Sequence, residues 1–166
     1  MDEILTHDII TVDTGELQIA TGDKVLRAVL GSCVGVILYD KKNKIAGLAH
    51  VFLPEKSYSK LNKPITAYAN TAIPILKKRI IAKGANKTNI IAYLVGGNNL
   101  LKDRNNKPSA YDGGLENLKA CKEALKKENI SPIIVFETNR QNGCTAYFKV
   151  KNGDLMVKEH KSIMEI

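Results

Sequence analysis

Four stretches in the first third of the chain carry strand patterning. GELQIATG (residues 15 to 22) alternates, KVLRAVLG (24 to 31) is rich in β-forming residues, and VGVILYD (34 to 40) is apolar without a break. IAGLAHVFL (45 to 53) follows the turn-like KKNK, so the last two stretches predict a hairpin of buried strands. SYSKLNKP then reads as a polar loop closed by Pro64.

From there the apolar period lengthens. Ala69, Ile73, Leu76 and Ile80 recur at helical spacing, cations gather in the later turns and Gly84 follows, predicting a helix over residues 67 to 83. Pro74 falls inside it and predicts an irregular first turn or a kink. NIIAYLVGG is a strand running into a Gly-Gly turn, and residues 98 to 114 form a long polar loop. A second helix over 115 to 128 carries Leu118, Cys121 and Leu125 on one stripe. IIVFETN reads as a strand, and CTAYFKV-KNGD-LMVKEH as a hairpin whose Asn152-Gly153 suits a type I′ turn.

Strands clustered at both ends with two helices between them predict an α/β fold of the α+β kind. The expected architecture is a mixed or antiparallel β sandwich with two main helices, not a doubly wound parallel sheet. At 166 residues, with no internal repeat or composition break, the chain is expected to form a single domain over 1–166.

Composition narrows the function more than the fold. The net charge is +8, but the lysines are scattered, aromatics are few and no nucleic-acid signature is present. A solvated basic surface suited to acidic protein partners is the better reading, and nucleic acid is not an expected ligand. No apolar stretch reaches the ~20 residues of a membrane span, so membrane insertion is not expected and a cytoplasmic location is. Three cysteines, an odd number without a CxxC pair, argue against a disulfide framework or a zinc knuckle. No ligand cluster is visible, so no metal or organic cofactor is expected.

Two residues carry candidate chemistry. Cys33 follows Gly31-Ser32 at the mouth of a strand, where small residues let a substrate approach and where backbone N–H groups of Gly31 and Ser32 could face an oxyanion. His50 lies in the partner strand on the face of Leu48 and Phe52. A hairpin would bring ring and thiol within hydrogen-bond reach, giving a base that activates a nucleophile. The same residues also suit plain core positions. Cys121, on the helical stripe, and Cys144, at a strand start, read as structural, and His7 and His160 as surface side chains.

LGSCVGVILYD, GLAHVFLP, YANTAIPILKKRIIAKGA, VGG and GLENLKACKEALKKENI together resemble the chemoreceptor glutamine deamidases, the CheD family, over nearly the whole chain. The resemblance implies an α/β sandwich related to deamidating bacterial toxins. It implies hydrolysis of glutamine side chains on methyl-accepting chemoreceptors, in chemotaxis adaptation, and glutamyl methyl ester hydrolysis by the same chemistry. It also implies a CheC-type phosphatase partner, with Cys33 as nucleophile and His50 as general base. The alternatives are an attenuated module that binds receptor and phosphatase, or another cysteine hydrolase.

The chain departs from the family pattern at two places. The family's triad threonine, six residues before the cysteine, corresponds to Arg27, so the third triad member is unassigned. Arginine cannot accept a proton from the imidazole. Its side chain is expected to turn to solvent or to a carboxylate, with a backbone carbonyl or another hydroxyl holding the ring, and Arg27→Thr is expected to raise the rate. ETNRQNGC (137 to 144) stands where relatives carry Gly-Gly and then Gly-Arg. The two loops at 55 to 66 and 98 to 113 are the expected specificity surface.

Overall fold

A computed structural model describes residues 8–160. It contains nine strands and two α-helices. The strands are β1 Asp8–Thr11, β2 Leu17–Thr21, β3 Lys24–Leu30, β4 Val34–Asp40, β5 Ile45–Val51, β6 Ile91–Gly96, β7 Ile133–Val135, β8 Cys144–Lys149 and β9 Asp154–Glu159. The helices are α1, Ala69–Ala82, after β5 and α2, Gly113–Lys127, after β6.

The strands form two mixed sheets. One has the order β1-β3-β8-β9, the other β2-β5-β4-β6-β7. The β1–β3 and β6–β7 pairs are parallel and the rest antiparallel. β4 and β5 are buried along their whole length because apolar layers cover both faces of the five-stranded sheet. On one face Val36, Leu38, Ala49 and Val51 meet Ile73, Leu76 and Ile80 of α1 and Cys121 and Leu125 of α2. On the other, Ile37, Tyr39, Ala46 and Leu48 meet Leu26, Ala28, Ala146 and Phe148 of the four-stranded sheet. The layers therefore run helices, five-stranded sheet, four-stranded sheet, the mixed sandwich with two helices that the patterning predicts.

Pro74 does not interrupt α1. It removes one intrahelical hydrogen bond and costs about 3 kcal/mol in a helix interior. Ile73, Leu76 and Ile80 are fully buried, and each such side chain returns about 1.5–3 kcal/mol. Packing outweighs the proline. α2 begins at Asp112, whose carboxylate accepts the Leu115 N–H at 2.9 Å as an N-cap.

Two expectations need correction. β1 is an additional strand; its residues are exposed or half-buried and show no alternation, because it lies at the edge of the four-stranded sheet. The β8–β9 connection is not a type I′ turn, since Gly153 alone there takes a positive φ, +77°. The loop holds four residues, closed by Gly153 N–H to Lys149 C=O at 2.8 Å.

Candidate active site

β4 and β5 pair antiparallel with Gly35 opposite His50. The N–H and C=O of His50 bond to the other side, to Glu16 C=O and Gly15 N–H, each at 2.9 Å. Gly35 and His50 are therefore a non-hydrogen-bonded pair, the closer kind, and at Gly35 the Leu30 and Val95 side chains pack where a Cβ would stand, 3.2 Å from each. Cys33 lies two residues before Gly35, diagonal to His50, and packs against the core between the sheets. The hairpin predicted from sequence brings these two residues to one end of that core.

The loop that carries Cys33 is held by its carbonyls. Asn98 N–H donates to Gly31 C=O at 2.9 Å and Gly97 N–H to Cys33 C=O at 2.8 Å. The Asn117 amide of α2 donates to Ser32 C=O at 2.9 Å and to Phe52 C=O at 3.0 Å, tying the loop to the end of the histidine strand. The N–H groups of Ser32 and Cys33 have no acceptor among the described residues. The turn after β6 must be glycine at this approach. Gly96 has φ +91°, and a Cβ there would sit 2.6 Å from the Cys33 carbonyl oxygen.

The connection from β1 to β2 crosses from one sheet to the other and supplies the remaining groups. Val12 N–H bonds to Arg27 C=O at 2.8 Å. The Val12 carbonyl lies 2.8 Å from His50 Nδ1. A carbonyl only accepts, so Nδ1 carries the proton and Nε2 is left as the basic nitrogen. At Nε2 the partner is the Thr14 hydroxyl, 3.5 Å away. Thr14 also acts on the Cys33 side chain, pulling the thiol pKa down. Among the described residues no hydrogen bond joins ring and thiol directly, and Thr14 is the side chain at Nε2.

Burial governs both titrations. The His50 ring, 3% exposed, is pushed below its ordinary pKa by burial, with the Val12 carbonyl and the Asp13 and Glu16 carboxylates acting in the opposite direction. Burial pushes the Cys33 thiol up, with the Thr14 hydrogen bond pulling it down. The resting pair is a neutral thiol and a neutral imidazole, poised for proton transfer as the sulfur attacks.

The family model described as CheD chemotactic sensory transduction matches residues 52–159. A Methanococcus maripaludis protein named "Probable chemoreceptor glutamine deamidase CheD" is 34% identical over 158 residues, 95% of this chain and 99% of that one. The chain belongs to the CheD family. Proteins of the same name from Methanococcus vannielii and Clostridium botulinum are 31% and 34% identical, covering 95% and 84% of this chain and 99% and 85% of their own. A solved Neisseria meningitidis protein of family DUF152 shares the fold, with a TM-score of 0.53 at 10% identity over 84% of this chain and 67% of that one.

For a CheD family member, position 27 is informative. Arg27 is half-buried on the outer face of β3, with Nη1 3.5 Å from Thr11 Oγ1 and its guanidinium 5.8 Å from the Tyr147 ring centroid. It finds a hydroxyl and an aromatic face rather than a carboxylate. Its backbone still serves the site by holding Val12, and the Val12 carbonyl occupies the ring nitrogen that a side-chain acceptor would orient.

Other assignments can be placed directly. Cys121 and Cys144 are fully buried in the two core layers. His160 is exposed on its outer side while its Nε2 meets the Thr145 hydroxyl at 2.8 Å, and His7 lies outside the described residues. ETNRQNGC packs on the turn after β6. Arg140 bridges Asp112 at 2.6 and 2.9 Å and the Gly97 carbonyl at 2.8 Å, while Thr138 donates to the buried Asn98 side chain at 3.0 Å. Sequence reasoning missed Val12, Thr14 and Asn117. The Asp-Thr-Gly-Glu turn was a usable signal for the first two, and for Asn117 the signal was its place four and eight residues before Cys121 and Leu125 on the buried stripe of α2. Among the described residues no helix is long and apolar enough to cross a membrane.

Proposed function

We propose that the chain hydrolyses the side-chain amide of glutamines on chemoreceptors, with Cys33 as nucleophile and His50 as general base. The relatives named as chemoreceptor glutamine deamidases support the reaction and the chemotaxis context. The observation that carries the residue assignment is the imidazole tautomer: Val12 takes Nδ1–H, leaving Nε2 to receive the thiol proton.

Sulfur attacks the amide carbon as its proton moves to His50, and the carbonyl electrons move onto oxygen beside the free N–H groups of Ser32 and Cys33. Collapse of the tetrahedral species expels the amide nitrogen, protonated by the imidazolium, as ammonia and leaves a thioester. Water, deprotonated by His50, then attacks the thioester and regenerates the thiol with glutamate as product. A glutamyl methyl ester would follow the same path with methanol leaving. The reaction as written draws on no metal or organic cofactor.

The substrate face includes the loops flanking Cys33. Leu100 covers Gly31, and Leu101 and Tyr111 on its loop and Tyr58 and Leu61 on the 55–66 loop are exposed, apolar groups suited to a receptor helix. On this reading the protein acts in the cytoplasm, with a CheC-type phosphatase as a second partner. An attenuated binding module gains little support, because the feature favouring it, the Arg27 side chain, points away from the ring.

Ammonia release and the mass change of amide to carboxylate in a chemoreceptor cytoplasmic fragment test the proposal. The wild type is expected to convert specific glutamines and Cys33→Ala to convert none. Equal conversion by Cys33→Ala overturns the assignment of the nucleophile.

A further inference from the structure

We propose that Thr14 is a catalytic residue whose hydroxyl passes the Cys33 proton to His50 Nε2. The inference rests on the Cys33–His50 reading of the site. The Thr14 hydroxyl is the hydrogen-bond partner of Nε2, at 3.5 Å, and Cys33 lies diagonal to His50 at the same end of the hairpin, near enough for Thr14 to pull the thiol pKa down. It therefore occupies the path between acid and base. Catalytic hydrogen bonds are often long in the resting enzyme and shorten once substrate is bound.

The placement is built into the fold. Asp13 to Glu16 form a β-turn closed by Glu16 N–H to Asp13 C=O at 2.9 Å, with Gly15 at φ +82° as its third residue. Gly15 and Glu16 bond the backbone of His50 itself, and Val12, before the turn, is held by Arg27. The Thr66 hydroxyl adds a bond to the Gly15 carbonyl at 2.6 Å. The turn that carries Thr14 is thus fixed to the residue its hydroxyl touches. Thr14 is exposed on its outer side, so the hydroxyl stands at the solvent edge of an otherwise buried ring.

The chemistry balances. In the resting state the thiol S–H donates to Thr14 Oγ, and the threonine O–H donates to Nε2, which is obliged to accept. As sulfur bonds to the amide carbon, the thiol proton moves to Oγ and the threonine proton moves to Nε2. Threonine is left neutral, sulfur is consumed as the nucleophile and the ring becomes imidazolium. On collapse the path runs in reverse: Nε2–H returns its proton to Oγ and the threonine proton goes to the departing nitrogen, which leaves as ammonia.

Thr14→Val removes the hydroxyl while keeping a β-branched side chain of similar shape, and Thr14→Ser restores the hydroxyl. Initial ammonia release from a chemoreceptor fragment, with rates in mixed H2O and D2O, is the assay. The valine variant is expected to fall by about 10²- to 10⁴-fold, the usual range for loss of a proton-transfer group. The serine variant should recover most of the rate. The wild-type proton inventory should bow as two protons move, and that of the valine variant should not. A valine variant as fast as the wild type, or faster, overturns the relay, because the ring then reaches the thiol unaided. A folded serine variant as slow as the valine variant also overturns it. Should the valine variant fail to fold, Thr14→Ala is the replacement, with the same expected loss. Cys33→Ala separates the two levels: full activity there defeats the nucleophile assignment, whereas an inactive Cys33→Ala beside a fully active Thr14→Val defeats the relay alone.

Discussion

Replacing Asn117 by alanine tests how the nucleophile loop is held. Asn117 is 1% exposed and donates to two carbonyls, Ser32 at 2.9 Å and Phe52 at 3.0 Å, joining α2 to both halves of the site. Each carbonyl left without its donor costs about 1–3 kcal/mol where it is buried. One effect opposes this: Asn117 Oδ1 is buried and has no hydrogen-bond partner among the described residues, and the substitution removes it. Two lost donors against one relieved acceptor leave a net destabilisation of about 1–3 kcal/mol. The loop that orients the sulfur also loses its cross-link to the histidine strand, so turnover should fall by more than the substrate's apparent affinity. Urea denaturation followed by circular dichroism reads the first effect, and ammonia release against substrate concentration reads the second. An alanine variant with unchanged midpoint and unchanged kcat would refute the reasoning, since the two hydrogen bonds would then contribute nothing net to either loop or fold.

Thiol alkylation at neutral pH should label Cys33 before the others. Cys121 and Cys144 are fully buried, and burial raises the Cys144 thiol to about 11, so labelling of either in the folded protein at the rate of Cys33 would contradict the packing. Because burial holds the His50 pKa below 6.5 and the Cys33 pKa above 9.0, kcat/KM should be level between these values and fall on acidification with a midpoint under 6.5. The sign for stability is the same: between 6.5 and the lower folded value the unfolded chain binds more protons at His50, so this contribution declines as pH drops through that window. A midpoint above 6.5 would sink the neutral-imidazole assignment. Arg27→Thr should leave the deamidation rate within about twofold and forfeit at most the ~0.5–1 kcal/mol of an exposed cation–π contact, because Val12 already orients the ring. A tenfold faster variant would restore the view that position 27 limits the enzyme.

Much of the fold is legible in the chain because its apolar periods are local. The unbroken runs at 34 to 40 and 45 to 51 require cover on both faces, and the four-residue turn between them leaves an antiparallel hairpin as the simple solution. That hairpin alone puts Cys33 and His50 on one face, so the two reactive residues can be chosen without a structure. The helical stripes likewise locate α1 and α2 to within a few residues. What periodicity cannot express is which sheet a strand joins. β1 and β2 lie only five residues apart in the chain yet belong to different sheets, and the crossing between them aims a Val12 carbonyl at one ring nitrogen and a Thr14 hydroxyl at the other. A backbone carbonyl leaves no mark on residue identity, and so the acceptor that orients the base is invisible in sequence. Position 27 shows the reverse case: its side chain suggests a disturbed site, but strand alternation sends it outward while its backbone does the holding. Residue types and their spacing determined the choice of Cys33 and His50 as candidates; the joining of the two sheets decided the hydrogen-bond partners of the ring, because those bonds run between segments that no local pattern connects.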